Sequence, residues 1–117
     1  MSEGNVMLTV FLRHDQSKNL DEINEILFNR DFTEKFPPPG VKIVSWHVLM
    51  GIGQVVTLEV PPDLVRTVNR TIEQGAWGAF RTEFYLTYDF LPAWQDKCKA
   101  FKKRREELNS RTEIHGA

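Results

Sequence analysis

The pattern of apolar and polar positions is clearest from Val41 to Val60, where two runs rich in Val, Ile and Thr flank the turn Gly51-Ile52-Gly53. Two such runs joined by a glycine-containing loop are typical of a β-hairpin. With Ile52 at the tip, Trp46 pairs with Leu58, and paired residues share one face of an antiparallel ladder. The pattern therefore predicts two strands with an apolar face and a mixed face. The mixed face carries Ser45, His47, Val55, Thr57 and Glu59.

Two further strands and three helices are predicted from the same kind of pattern. Alternation of apolar and polar residues indicates strands at Asn5 to Arg13 and at Phe80 to Phe90. Apolar residues at helical spacing between Leu20 and Leu27 indicate a helix, which ends before Phe36 and the three consecutive prolines that follow it. A second helix is expected between Pro61 and Gly75, and a third begins at Pro92. In the third helix a run of four basic residues interrupts the apolar stripe.

The order strand, helix, strand, strand, helix, strand predicts an α+β fold with the ferredoxin-like βαββαβ topology. We expect a four-stranded antiparallel sheet in the order fourth, first, third, second, with two helices on one face and an added C-terminal helix. Residues 1–109 form a single domain in this interpretation, and residues 110–117 form a disordered tail. The second face of the sheet is left without helices.

The chain resembles the ferredoxin-like dimeric α/β-barrel superfamily, which includes antibiotic-biosynthesis-type monooxygenases, muconolactone isomerases and stress-responsive barrel proteins. The resemblance covers Val6 to Phe90. It rests on the element order, the turn Gly51-Ile52-Gly53, the segment from Leu58 to Asp63 that leads into the second helix, and the aromatic last strand. It implies a homodimer in which two sheets pack face to face and enclose a pocket for a small molecule.

Composition narrows the range of partners and compartments. The 117 residues include 15 basic and 16 acidic side chains, for a net charge of -1, so neither nucleic acid nor a membrane surface is expected as a partner. A single cysteine excludes an intrachain disulfide framework and fits a reducing compartment. No apolar run approaches the ~20 residues of a membrane span, and no signal peptide is visible. We expect a soluble cytoplasmic protein.

Antiparallel pairing brings chemically useful side chains of the mixed face toward one end of the sheet. Arginine offers a planar fork to a carboxylate or enolate, and histidine has the unperturbed pKa closest to neutrality. Aromatic walls beside such groups would suit a polar aromatic ligand. The predicted catalytic residues are His47 and Arg81, and the predicted binding residues are Arg13, Phe11, Thr57, Glu83 and Tyr85.

Plainer interpretations of the same residues stay open. Arg13, Arg81 and Glu83 could be cross-strand ion pairs that satisfy one another at a dimer interface. His47 could be a hydrogen-bonded structural residue, since no partner motif accompanies it. No metal site is predicted, because the histidines lack ligand spacing and one cysteine cannot build a site. The basic third helix is either solvated or lies across the partner protomer.

Two classes of function follow from this sequence. The first is a cofactor-free enzyme, of monooxygenase or isomerase type, that acts on a small aromatic or carboxylated metabolite. In that enzyme His47 moves a proton while Arg81 or Arg13 holds developing negative charge. The second is a non-catalytic dimeric binding or stress-responsive module that uses the same cavity without chemistry.

Overall fold

The computed structural model describes residues 4–115, and side chains as far as residue 111. The chain divides into two compact units between Thr87 and Tyr88. The first unit contains β1 (Val6–His14), α1 (Leu20–Asn29), α2 (Phe32–Lys35), β2 (Lys42–Leu49), β3 (Gly53–Val60), a 3-10 turn (Pro62–Leu64), α3 (Val65–Ala76) and β4 (Phe80–Thr87). The second unit contains α4 (Leu91–His115).

The strands of the first unit form a four-stranded antiparallel sheet in the order β2-β3-β1-β4. The predicted α+β class and antiparallel sheet are thus confirmed. In this order β1 and β3 are the central strands, and β2 and β4 are the two edges. Any two side chains on β2 and β4 are therefore separated by the full width of the sheet.

The core lies against one face of the sheet, which is built from the even-numbered residues of the central strands. Side chains on one face of a strand recur every second residue, so alternation in the sequence selects this set. Helices α1 and α3 add Ile23, Val68 and Ile72 to the same buried cluster, and Ile72 is only 1% exposed. The buried strand residues are Leu8, Val10, Leu12, Val56, Leu58 and Val60.

The opposite face of the sheet is called the open face below. It carries odd-numbered residues, and those named here are partly or fully exposed. Because this face holds every residue predicted for the site, its geometry decides what the site can do. The open face comprises Met7, Thr9, Phe11, Arg13, Ser45, His47, Val55, Thr57, Arg81, Glu83, Tyr85 and Thr87.

The turn between β2 and β3 differs from the prediction. It is centred on Gly51, because Leu49 pairs with Gly53 and the Ile52 N–H donates to the Leu49 carbonyl at 2.9 Å. Gly53 has a φ of +154°, and a Cβ added there would overlap the carbonyl oxygen of Leu12. Only glycine can bring the backbones of β3 and β1 this close at such a φ.

The new turn centre changes the pairing of β2 by two residues. Trp46 pairs with Val56 rather than with Leu58. A shift of two residues keeps each side chain on its predicted face, because the side-chain period is also two. An irregularity of the pairing at Val44 then places Ile43 opposite Leu58.

Helix α4 begins where the Asp89 carboxylate accepts a hydrogen bond from the Leu91 N–H at 2.9 Å. Every α4 side chain that the structure describes is exposed. The helical backbone continues to His115, so it covers residues 110–115 of the segment predicted to be disordered, and residues 116 and 117 lie outside the described residues. Within residues 4–115, no helix has both the length and the apolar character required to cross a bilayer.

Candidate functional site

Four of the seven predicted site residues meet where β1 and β4 run side by side. The pairing of these strands sets Phe11 opposite Glu83, with Arg13 and Tyr85 two residues away on the same face. The Arg13 Nε donates to Oε1 of Glu83, and the Tyr85 hydroxyl donates to Oε2 of Glu83 at 2.7 Å. Both carboxylate oxygens of Glu83 are therefore engaged.

Aromatic contacts complete this cluster. The rings of Phe11 and Tyr85 lie edge to face, with centroids 5.9 Å apart and an interplanar angle of 80°. The guanidinium carbon of Arg13 lies 5.9 Å from the centroid of the Phe11 ring, within the range of a cation–π contact. Arg13 is thus held by a carboxylate and by an aromatic ring, while Tyr85 remains 49% exposed and can meet a ligand.

The hydrogen bonds fix the charges of the cluster. The bond from Tyr85, and after it the one from Arg13, lowers the pKa of Glu83 below its ordinary value. The same bond raises the pKa of Tyr85, because the phenol donates its proton to a carboxylate. A general acid or base works best with a pKa near the operating pH. Glu83 and Tyr85 are therefore suited to holding charge and geometry rather than to moving protons at neutral pH.

Arg81 adds a second positive charge beside the cluster. It is the register partner of Arg13 across β1 and β4, and its side chain is exposed. Its field contributes to the lowered pKa of Glu83, but among the described side chains no carboxylate forms an ion pair with Arg81. Of the predicted ion pairs, the structure makes the one between Arg13 and Glu83. Arg13 and Arg81 carry two positive charges near the single negative charge of Glu83, so this corner of the open face has an excess of positive charge.

A shallow depression lies at the same end of the sheet. Arg13 and Arg81 line it together with His14, Asp15 and Gln16, three residues that the sequence analysis did not assign to the site. The Asp15 carboxylate forms an ion pair with Lys18 at 2.7 Å, so its charge is already balanced. The Gln16 side-chain amide donates to the Gly51 carbonyl at 3.2 Å and ties the loop after β1 to the hairpin turn. Their position directly after Arg13, the last residue of the predicted first strand, was the available signal, because the end of β1 lies beside the turn that precedes β3.

Thr57 lies on the open face of β3, opposite Thr9 of β1. Its hydroxyl is 3.4 Å from that of Thr9, which in turn is 3.1 Å from that of Thr87. Three hydroxyl groups thus form a polar row across β3, β1 and β4. Thr9 and Thr87 were not predicted as site residues, although both are odd-numbered members of predicted strands.

His47 shares the open face but lies at its far edge. It pairs with Val55 on β3 and is exposed. Because β2 and β4 are opposite edges, three strand spacings of about 4.8 Å, or about 14 Å in all, separate His47 from the strand that carries Arg81. The structure places His47 and Arg81 on one face without bringing them side by side.

Neither metal ligation nor similarity to known proteins adds to this geometry. Among the side chains that the structure describes, no group of three or more His, Cys, Asp or Glu residues could hold a metal ion. No protein-family model, curated protein or solved structure matches the chain. The functional interpretation therefore rests on the residues of the open face.

Proposed function

We propose that this chain is a homodimeric ferredoxin-like α/β-barrel protein that binds a small carboxylated aromatic molecule on its open face. The observation that carries the proposal is the guanidinium of Arg81, which lies in register with Arg13 and forms no ion pair with any carboxylate that the structure describes. Arg13 in turn lies against the Phe11 ring, which packs edge to face with Tyr85. Like charges directly opposite each other on a sheet are unfavourable unless an anion lies between them. A ligand carboxylate would supply that anion.

The cluster matches such a ligand in shape as well as in charge. Arg81 can offer a planar, two-pronged donor to a carboxylate, and the depression beside it is open to solvent. Tyr85 presents an exposed aromatic ring on the same face of β4, two residues beyond Glu83. The Arg13–Glu83–Tyr85 hydrogen bonds hold these groups in fixed positions before the ligand arrives, which lowers the entropy cost of binding.

Dimerisation through the open face would enclose this site. The sheet order β2-β3-β1-β4 and the packing of α1 and α3 against the even-numbered face support a ferredoxin-like topology with one sheet face free to meet a second copy. Phe11 and Tyr85 offer apolar surface there. Two copies related by a two-fold axis would present the same patch to each other, as closed dimers do.

Binding without catalysis is the function that the geometry favours. If His47 moved a proton while Arg81 held the negative charge, both side chains would have to contact one small substrate. The strand order separates them by the width of the sheet. Glu83 and Tyr85 do contact each other, but their hydrogen bond lowers the pKa of Glu83 and raises the pKa of Tyr85, so both values move further from neutrality. Neither is tuned to exchange a proton at neutral pH.

The ligand proposal is tested by titrating the protein with benzoate and with benzamide, which is a neutral molecule of similar shape. We expect benzoate to bind and benzamide to bind at least about tenfold more weakly, a difference that one charge-assisted contact can provide. Arg81→Gln should abolish the preference for benzoate. Equal binding of the two molecules, or no binding of either, would contradict the proposal.

Matched controls separate the site from the rest of the surface. Arg66→Gln removes an exposed arginine from α3 and should leave benzoate binding unchanged. His47→Ala should also leave binding unchanged, because His47 lies at the opposite edge of the sheet. A large loss of binding in His47→Ala would instead favour a site that includes β2.

The dimer is tested by light scattering at micromolar concentration. Phe11→Glu places a charge in the middle of the open face and should shift the mass from two chains to one. Phe28→Glu makes the same change at an exposed position of α1, where Phe28 is 79% exposed, and should leave the mass unchanged. A monomeric unmodified protein would remove the basis for an enclosed pocket.

A further inference from the structure

Helix α4 carries a regular apolar stripe that the proposed ligand site does not use. Its apolar residues recur at alternating intervals of three and four, which is the spacing of the a and d positions of a heptad repeat. Arg105 occupies the one a position inside the stripe that is not apolar. The a and d residues in chain order are Leu91, Trp94, Cys98, Phe101, Arg105 and Leu108.

The stripe is exposed along a continuous helix. Leu91, Trp94 and Phe101 are 55%, 53% and 63% exposed, and the helix runs without a break from Leu91 to His115. At 1.5 Å per residue, the part of the stripe from Leu91 to Leu108 is about 26 Å long. Large aromatic side chains aligned in an exposed row are typical of a surface that binds another protein.

Positive charge borders the stripe on both sides. The e and g positions next to it hold four cations and two amides, and none of the described side chains there is a carboxylate. Among the α4 side chains that the structure describes, the acidic ones are Asp96, Glu106 and Glu107, which fall at the outward f, b and c positions. The e and g residues are Gln95, Lys97, Lys102, Arg104, Asn109 and Arg111.

This charge pattern opposes pairing of α4 with a second copy of itself. In a parallel pair, Lys97 at g would face Lys102 at e of the other copy. In an antiparallel pair, the g residues Lys97 and Arg104 would face residues of the same g set. Residues at e and g decide which helices pair, and like charges there disfavour the pair.

The stripe also differs from the face of a helix that lies on a membrane. It is narrow, two residues in seven, whereas membrane-surface helices present a broad apolar face. Arg105 lies within the stripe and lines a groove with Phe101, Arg104 and Leu108. A cation set between apolar side chains in this way fits a carboxylate on a facing helix.

We propose that α4 is a docking helix for an acidic amphipathic helix of another protein. The partner would place its apolar residues against the a and d stripe of α4 and its Asp and Glu side chains against the basic borders. A carboxylate of the partner would face Arg105. Charge complementarity at these positions provides specificity and speeds association.

The proposal is tested with two synthetic three-heptad peptides, added separately to the full-length protein and followed by fluorescence anisotropy. Both peptides have Leu at a and d; one has Glu at e and g, and the other has Lys. We expect the Glu peptide to bind at least about tenfold more tightly and to lose affinity as salt rises. Equal affinities, or no binding of the Glu peptide, would overturn the proposal.

Two double variants of identical composition locate the contact. Lys97→Glu with Lys102→Glu leaves two cations and two carboxylates at the borders of the stripe and should abolish most of the preference for the Glu peptide. Lys99→Glu with Lys103→Glu changes the outward b and f positions and should keep the preference for the Glu peptide. Circular dichroism checks that both retain helix. An identical response of the two variants would show that net charge, not the stripe, governs binding.

Phe101→Ala distinguishes a partner helix from two other possible occupants of the stripe, a second copy of this chain and a membrane. It should abolish binding of the Glu peptide and leave the mass of the protein in light scattering unchanged. A decrease in mass would instead identify a second copy as the occupant. Tighter binding to phosphatidylserine vesicles than to the Glu peptide, lost in Phe101→Ala, would identify a membrane. Either result would overturn the proposal, and neither depends on benzoate binding at the open face.

Discussion

Gly53 is the residue at which the sequence most directly constrains the sheet. Its φ of +154° and the nearness of the Leu12 carbonyl oxygen leave no space for a Cβ. We therefore expect Gly53→Ala to lower the free energy of unfolding by about 2–4 kcal/mol, from backbone strain and from separation of β3 and β1. Chemical denaturation measures this loss.

Gly51 provides the matched comparison for Gly53. It has a φ of +78°, but a Cβ added there meets no atom within 4 Å. Gly51→Ala should therefore cost only the strain of a left-handed residue, about 1 kcal/mol. If the two substitutions had equal effects, the close approach at Gly53 would have no energetic importance.

Glu83 and Tyr85 make the stability of the sheet depend on pH in two ranges. The lowered pKa of Glu83 means that its interactions stabilise the fold above the ordinary glutamate pKa of about 4.3 and are lost as pH falls through the folded value. The raised pKa of Tyr85 means that its interaction is present below about pH 10 and is lost as pH rises through the folded value.

We therefore predict that the melting temperature of Glu83→Gln falls less steeply than that of the unmodified protein as the pH drops from about 5 to 3. The difference should be small, because the Glu83 side chain is partly exposed and screened by solvent. Tyr85→Phe should flatten the alkaline limb instead. Parallel curves for Glu83→Gln and the unmodified protein would contradict the assignment of the acid limb to Glu83.

At the scale of elements, α1 is the helix whose beginning is best defined. The Asn19 side chain accepts from the Glu22 N–H at 2.8 Å, and the Glu22 carboxylate accepts from the Asn19 N–H at 3.2 Å, which together form a capping box. Asn19→Ala should lower the free energy of unfolding by about 1 kcal/mol.

Asn24→Ala tests whether this effect belongs to the cap. Asn24 is exposed in the middle of α1, where alanine has the higher helix propensity, so its replacement should be neutral or slightly stabilising. Thermal unfolding of both variants measures the contrast. Similar losses for Asn19→Ala and Asn24→Ala would mean that the capping box contributes nothing particular.

The same element scale shows why strands were easier to predict than their pairing. Alternation identified β1 and β3 and their buried faces, because Leu8 and Val56 belong to unbroken period-two patterns. The pairing of β2 depends on where the turn is centred and on the irregularity at Val44. Both are set by contacts between strands distant in sequence, which a local pattern does not contain.

For the whole molecule, the candidate site was predicted in part because strand neighbours determine it. Arg13, Glu83 and Phe11 lie on adjacent strands, and alternation alone placed them on one face. His47 met the same rule of alternation, but lies on the edge strand β2, across the sheet from Arg81. The face on which a side chain lies follows from alternation within its own strand. The distance between two side chains across the sheet depends on the order of all four strands.

The division of the chain into two units leads to a last prediction. The buried hydrophobic core ends with Phe80, and no member of it belongs to the second unit within the residues that the structure describes. A chain that ends at Thr87 should therefore retain a cooperative thermal transition, because it keeps every residue of the buried core, Ile72 and Leu58 included. It should bind benzoate like the full chain and fail to bind the Glu peptide.

Scanning calorimetry and the two titrations check these outcomes on one sample. Loss of the cooperative transition would mean that α4 contributes to the stability of the sheet.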